Sequence, residues 1–228
     1  DIIGCETNLP NLYHDRFNRD GAIVDLQTSR DLHREGTNRI PDRHPDRATL
    51  LNNAGIAEHG YYLRIGDPND LVHAIDLLGD AIAVSSKDSI YLASRRVNYA
   101  SALHSAIAHS DHEQIRRLLT EAERQIELAL AGALSDTDRD IATGIYVSIL
   151  RAKFVEFDDQ SALDAIQHLD PVDQLADRPA ASLRRGISAG LARDRELEER
   201  HLLRALRQGV SSRPAIAVNA AALLSDHG

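Results

Sequence analysis

The sequence predicts an all-α fold, built as an array of helical hairpins. Apolar residues recur at spacings of three and four, and no window alternates with the period of two that a half-buried strand requires. A stretch near the N-terminus is repeated 45 residues later, and repeats of roughly 20–50 residues are typical of solenoids. Hydrophobic residues make up 43% of the chain and aromatic residues only 4%, which favours helices packed through Ala, Leu, Ile and Val.

The repeat aligns residues 17–32 with residues 62–77. Six of the sixteen aligned positions are identical, and several of them are Gly or Asp, which are frequent at the ends of helices. We therefore expect both copies to have the same local structure. The identical pairs are Arg19 and Arg64, Gly21 and Gly66, Asp25 and Asp70, Leu26 and Leu71, Asp31 and Asp76, and Leu32 and Leu77.

Each copy is predicted to contain two helices joined by a short loop. Residues 71–82 carry one apolar face and residues 115–130 a longer one, so each range is predicted to be helical. Ser, Asp, Gly and Pro residues interrupt the pattern where helices should end, at 66–68, 85–86, 110–111 and 135–138. A weaker third copy, 44 residues after the second, aligns Ile115, Leu119 and Ile126 with Leu71, Ile75 and Ile82.

The polar segment from Gly36 to Pro45 contains two prolines and is predicted to be the loop between the first and second hairpins. Beyond Arg139 the helical spacing continues while the repeat fades. A solenoid needs a cap over its last repeat, and the Ala-rich residues 211–224 are predicted to supply one. We expect one domain over residues 1–228, with clear repeats at about 17–131 and degenerate repeats and capping helices at about 139–228.

Residues 45–55 (PDRATLLNNAG), followed by Gly66-Asp67 and then by residues 70–77 (DLVHAIDL), resemble the tetratricopeptide repeats found upstream of CHAT caspase-like domains in fungal and bacterial proteins. The resemblance is good from about residue 17 to 83 and weaker to about 131. It implies a right-handed superhelix that holds protein segments, while a separate downstream domain performs proteolysis. This chain has no recognisable caspase-like portion, so the resemblance carries over the scaffold role alone.

The resemblance also implies that the first helix of each hairpin packs closely on the second at positions with small residues. An oversized side chain at such a position would force the helices apart and cost about 1–3 kcal/mol. The small residues expected at these contacts are Ala54, Gly55 and Ala74 in one hairpin and Ala100 and Ala122 in the next.

Charge and cysteine content exclude several classes of protein. A net charge of −9 and a pI near 5.6 argue against nucleic acid, since its binders need clustered cations to neutralise phosphates. Cys5 is the only cysteine, so no internal disulfide can form. No apolar run approaches the roughly 20 residues of a membrane helix, and no signal peptide is recognisable. We expect a cytoplasmic protein with no nucleic-acid or membrane partner.

No pattern in the sequence predicts catalysis, a metal site or a cofactor. The histidine cluster at residues 104–112 spans different helix faces and a predicted break, whereas zinc needs three or four converging ligands. Cys5 has His14 as its nearest histidine but lies in no known nucleophile motif. None of the 13 glycines forms a phosphate-binding loop. The acid pairs Asp158-Asp159 and Glu198-Glu199 are expected to be solvated or to stabilise helix N-termini.

A protein or peptide is therefore the expected partner, held in a concave groove between successive hairpins. Asn and His side chains both donate and accept hydrogen bonds, which suits recognition of a peptide main chain. An alternative is the regulatory or sensor portion of a larger caspase-like protease or signalling protein, and the absence of methionine is consistent with a fragment. The predicted groove residues are Asn52, Ile56 and His59 from one hairpin and Val97, Ser101 and His104 from the next.

Overall fold

The computed structural model describes residues 2–169 and residue 203. Over these residues the predicted all-α fold is confirmed, since they form helices and connecting turns and no strand. The chain divides into two compact units, with the boundary between Ala133 and Leu134. The expected cap at 211–224 lies outside the described residues, and a single domain over residues 1–228 stays a prediction.

The first unit contains three helical hairpins in chain order. Each helix contacts the next one along the chain, so that helices pair within hairpins and hairpins pack on their neighbours. A turn of 3₁₀ helix at residues 107–109 follows α5. The helices are α1 (Ile2–Asp20), α2 (Ile23–Arg39), α3 (Arg47–Ile65), α4 (Pro68–Ala83), α5 (Leu92–Ala106) and α6 (His112–Leu130).

The described part of the second unit is one further hairpin, formed by α7 (Asp136–Phe157) and α8 (Gln160–His168). The acid pair between these helices has a structural role, as the sequence predicts. Asp158 adopts a left-handed conformation with φ of 52° and ends α7, and the Asp159 side chain accepts a hydrogen bond from the Ser161 N–H at the start of α8. Glu198-Glu199 lies outside the described residues.

The repeated glycines make the same turn in the first two hairpins. Gly21 and Gly66 have φ of +72° and +83°, in the region that glycine enters without steric cost. Each N–H donates a hydrogen bond of 2.7 Å to a carbonyl four residues earlier, that of Phe17 and of Tyr62 respectively. Since Phe17 and Tyr62 are also 45 residues apart, the sequence repeat and the structural repeat coincide at this turn.

The second helix of each hairpin buries one stripe of four residues with spacings of three, four and three. Between α2 and α4 the stripes align at the predicted offset of 45, but between α4 and α6 they align at 48 rather than 44. The predicted third copy was therefore out of register, because the 3₁₀ turn lengthens the connection between α5 and α6. The stripes are Leu26, Ser29, His33 and Gly36; Leu71, Ala74, Leu78 and Ala81; and Leu119, Ala122, Ile126 and Ala129.

Three of the predicted helix starts have side-chain caps. Asp67 accepts from the backbone N–H of Asn69, Asp111 forms a capping box with Gln114, and Ser135 caps α7, each supplying an acceptor to an N–H that lacks a partner within the helix. The predicted loop at 36–45 is shorter than expected, since α2 continues to residue 39. Its glycine is buried within the helix rather than exposed in a loop.

Gly55 allows α3 and α4 to approach closely, as the resemblance implies. A Cβ atom at this position would lie 2.5 Å from Leu78 Cγ and 3.2 Å from the Ala74 carbonyl oxygen, well inside van der Waals contact. The other small residues expected at helix contacts, Ala54, Ala74, Ala100 and Ala122, are all buried.

We expect Gly55→Ala to lower the free energy of unfolding by about 1–3 kcal/mol, because the new methyl group would push Leu78 and α4 away. Gly79→Ala is the matched control on α4, since its Cβ would meet nothing closer than 3.6 Å. That change should be neutral or stabilising, as Ala is favoured over Gly in helices. Urea denaturation of both variants measures the difference, and equal effects would contradict the close contact.

An ion-pair network joins the first hairpin to the second. Glu58 on α3 is fully buried, and both of its carboxylate oxygens accept hydrogen bonds from Arg34 on α2. His73 Nδ1 on α4 lies 3.2 Å from the same carboxylate. Arg34 also donates to Asp70 at 3.1 Å, and Arg30 reaches Asp70 at 3.4 Å. The hydrogen bonds to Glu58 raise the pKa of Arg34, and the network as a whole ties α2, α3 and α4 together.

Glu58→Gln should lower the free energy of unfolding by about 1–3 kcal/mol. The substitution removes the charge that pairs with Arg34, and the glutamine amide has one acceptor oxygen where the carboxylate has two. Glu35→Gln is the control: Glu35 pairs with Arg39 within α2, and both side chains are exposed, so the loss should stay under about 0.5 kcal/mol. Thermal and urea unfolding report the two values. An equal loss in both variants would show that the buried network contributes nothing beyond a surface pair.

The buried stripe of the first hairpin contains polar side chains, whereas the stripes of α4 and α6 are apolar. His33 is 2% exposed and occupies the stripe position of Leu78 and Ile126. Among the described residues its Nδ1 has no hydrogen-bond partner, and neither has the buried hydroxyl of Ser29. Burial lowers the pKa of His33 to about 4, with a smaller effect from the nearby His14, and His33 is therefore neutral in the folded protein at pH 7.

Acid should destabilise the fold through His33. Between pH 6.5 and about 4 the unfolded chain binds a proton at this residue that the folded chain does not, so the free energy of unfolding falls as pH falls. Between pH 7 and pH 5 the free energy of unfolding should fall less in His33→Leu than in the wild type, by on the order of 1–2 kcal/mol. Urea unfolding at the two pH values tests this, and parallel declines would refute it.

Candidate partner-binding face

Helices α3 and α5 are joined by a row of polar contacts between residues 46 positions apart. In the first turn of each helix, Arg95 Nη2 donates to Thr49 Oγ1 at 3.0 Å. One turn further, Asn98 Nδ2 donates to Asn52 Oδ1 at 3.1 Å. These side chains link the first helices of two successive hairpins. We call the surface formed by the half-buried residues Asn52, Ile56, His59, Asn98, Ser101 and Ser105 the α3–α5 face.

His59 is held in one protonation state at the far end of the α3–α5 face. Its Nε2 lies 2.9 Å from Ser105 Oγ, and the Ser105 hydroxyl donates its own proton to the Ser101 carbonyl oxygen at 3.1 Å. With its proton directed to Ser101, the hydroxyl accepts from His59, an arrangement that assigns the imidazole proton to Nε2. Burial lowers the pKa of His59 to about 4, so the ring is neutral at pH 7.

All three groove residues predicted on α3 lie on the α3–α5 face. Asn52 and His59 make the contacts to α5 described above, and the Asn52 amide also donates weakly to Asn53 at 3.3 Å. Ile56 is partly buried and packs against the apolar cluster that includes Tyr62 and Ala102. Two of the three predicted residues therefore bind the neighbouring helix as well as facing outward.

The prediction for α5 was out of register by one residue. Val97 is only 5% exposed and is not accessible to a partner. His104 is half-buried, and its place in the groove stays a prediction, since the contact to His59 is made by its neighbour Ser105. Ser101 does lie on the face. The prediction carried Asn52, Ile56 and His59 forward by the repeat offset of 45, whereas the contacts between α3 and α5 join residues 46 apart, because the connection before α5 is one residue longer.

Asn98 and Ser105 are two residues of the candidate face that the sequence did not predict. The Asn98 amide donates a hydrogen bond to Asn52, and the Ser105 hydroxyl contacts His59. Aligning the polar residues of α3 and α5 at an offset of 46 would have matched Asn52 with Asn98 and His59 with Ser105 in the sequence itself. The offset cannot be chosen from the sequence alone, since it depends on the length of the loop before α5.

Arg95 brings a positive charge to the N-terminal end of this region. Its side chain donates to the hydroxyl oxygens of Ser85 at 2.6 Å and of Thr49 at 3.0 Å, and its guanidinium lies 5.8 Å from the centre of the Tyr91 ring. The residue is 6% exposed, and burial lowers the pKa of its guanidinium. Within the described residues no carboxylate pairs with Arg95.

The histidine cluster noted in the sequence is dispersed by the structure. His109 follows α5, and its Nε2 lies 2.8 Å from the hydroxyl of Tyr62 on α3, whereas His112 begins α6. In the part of the chain described, no three His, Cys, Asp or Glu side chains come together as a metal site would require. The side chain of Cys5 lies outside the described structure, so the expected lack of catalysis stays a prediction.

No protein-family model matches the chain, and neither the curated proteins nor the solved structures give a significant match. Of the helices described, none combines the length and apolar character needed to cross a bilayer. The properties of the α3–α5 face therefore have to follow from the residues of this chain and their contacts.

Proposed function

We propose that this chain is a protein–protein interaction scaffold that holds an extended or helical segment of a partner on the α3–α5 face. The observation that carries the proposal is the row of half-buried amide, hydroxyl and imidazole groups between α3 and α5. These groups are held in place by contacts to each other, so their hydrogen-bonding atoms are already in defined positions. The entropic cost of ordering the side chains when a partner binds is therefore smaller.

The amide pair on this face has spare hydrogen-bonding capacity. Asn98 uses one amide proton to reach Asn52, and an amide group offers two donors and two acceptor lone pairs. Among the described contacts the Asn98 carbonyl oxygen has no partner, so it can accept from a main-chain N–H of a bound segment. Asn52 is similarly placed to donate to a main-chain carbonyl.

The charge of Arg95 favours a partner segment with an acidic group at one end. Arg95 and Thr49 both lie in the first turns of their helices, where the N-terminal ends of helix dipoles are also positive. The nearby hydroxyl partners do not neutralise the guanidinium. Arg95 is almost as buried as Val97 and does not contact a partner directly, so its charge acts through the electric field at this end of the face, which favours an acidic group of the partner there.

We also propose that the hairpins of the first unit are of the tetratricopeptide type and stack as a right-handed superhelix. The shared turn at Gly21 and Gly66, the recurring buried stripe and the close approach at Gly55 support this. In such an array the first helices of successive hairpins are neighbours, as α3 and α5 are here. Cytoplasmic location, and a role as the regulatory portion of a larger protein, are compatible proposals.

Replacing both amides with leucine tests the α3–α5 face. In Asn52→Leu/Asn98→Leu both partners of the hydrogen bond become apolar together, and the only other bond lost within the described structure is the weak one of 3.3 Å to the half-buried Asn53, so stability should change little. Peptides selected from a random library against the wild-type protein should bind this variant at least tenfold more weakly, about 1.4 kcal/mol, because the main-chain hydrogen bonds are lost.

Thr28→Val is the matched control for that experiment. Thr28 lies on the exposed surface of α2, and its hydroxyl bonds only to the Val24 carbonyl of the same helix. The selected peptides should bind this variant as they bind the wild type, by isothermal titration. Undiminished binding to a folded Asn52→Leu/Asn98→Leu protein would place recognition elsewhere.

A further inference from the structure

A cleft of about 610 Å³ lies between α2 and α4, away from the residues of the α3–α5 face. Arg34 lines it from α2, Arg47 and Leu51 from α3, and His73 and Asp80 from α4. Leu77 and Leu51 are nearly buried and pack in one apolar cluster. The cleft therefore has an apolar base and charged walls, a combination suited to a side chain with a long apolar stem and a charged end.

The cations of the cleft are already engaged by the protein. Arg34 is bound by Glu58 and Asp70, so its charge is matched. Arg47 donates to the Ile40 carbonyl oxygen at 2.9 Å and pairs with the carboxylate of an exposed aspartate in the preceding loop at 3.1 Å. Neither guanidinium is left with an uncompensated positive charge for an anionic ligand.

Asp80 is different, because its carboxylate has no partner. Among the residues that the structure describes, it forms no ion pair and no side-chain hydrogen bond. It is solvent-exposed and lies on an acidic helix, since α4 has no lysine or arginine. Although Asp70 is paired with two arginines of α2, Asp67, Asp76 and Asp80 of α4 and its capping residue are not paired with a cation in the described part of the chain. The surface beside the cleft is thus negative, in keeping with the net charge of −9, and attracts cations.

We propose that the cleft between α2 and α4 is a second recognition site, which takes an arginine or lysine side chain from a basic segment of a partner protein. The cationic end pairs with Asp80, and the methylene stem lies over Leu51 and Leu77. His73, held by Glu58 through Nδ1, leaves Nε2 as a further polar group at the wall. This site goes beyond the α3–α5 face and would give the scaffold two surfaces of different chemistry.

A capped tri-arginine peptide is the probe, with capped tri-glutamate as its counterpart, titrated against the intact chain by isothermal calorimetry at about 0.15 M salt. Asp80→Asn should weaken tri-arginine binding at least fivefold. Asp76→Asn removes the same charge from the same helix at an exposed position outside the cleft. It should weaken binding less than twofold, which separates a site from general attraction to an acidic protein.

Two results would overturn the proposal. Equal losses of tri-arginine affinity in Asp76→Asn and Asp80→Asn would show that binding depends only on the overall negative charge. Tighter binding of tri-glutamate would show that the cleft takes an anionic segment, which would face Arg34 and Arg47. The Asn52→Leu/Asn98→Leu protein should bind tri-arginine like the wild type. A negative result for the cleft therefore does not affect the proposal for the α3–α5 face, and a negative result for that face does not affect the proposal for the cleft. Melting temperatures confirm that each variant is folded.

Discussion

The first two hairpins are held together around one buried negative charge. Glu58 lies on α3, and its carboxylate is bound by Arg34 of α2 and approached by His73 of α4. A carboxylate removed from water costs several kcal/mol unless it is paired. The three helices must therefore keep the spacing at which these bonds form, and Asp70 completes the network by accepting from Arg34. The position of α2 against α4, and hence the shape of the cleft, follows from this pairing.

Helix α3 takes part in both proposed recognition surfaces. Leu51 faces the cleft and Asn52 faces α5, although they are adjacent in sequence. Successive residues of an α-helix point about 100° apart, so one helix can serve two surfaces without either sharing side chains with the other. Gly55, one turn later, lets α4 approach closely because it has no side chain. Few positions on α3 are therefore free of a packing or binding role, which explains its weakly amphipathic sequence.

The three hairpins of the first unit share a buried stripe but differ in its chemistry. Leucine, isoleucine and alanine occupy the stripes of α4 and α6, whereas α2 has Ser29 and His33 without hydrogen-bond partners in the described structure. An unpaired buried polar group destabilises a fold by about 1–3 kcal/mol. The stripe of the first hairpin consequently contributes least through apolar packing, and its buried His33 makes its stability depend on pH.

The sequence by itself determined the helical class and most of the helix ends, because these depend on local rules, and the family resemblance indicated the small residues at helix contacts. Gly21 and Gly66 require the same turn wherever the chain runs, and a buried stripe needs only its own spacing. Register between hairpins was decided by the tertiary structure. Loop length sets which residues of α3 and α5 meet. An offset of 46 instead of 45 therefore pairs Asn52 with Asn98 and His59 with Ser105, and it leaves Val97 buried. Pairing of Glu58 with Arg34 across 24 residues was equally hidden, since nothing local distinguishes a buried glutamate from the exposed acids around it.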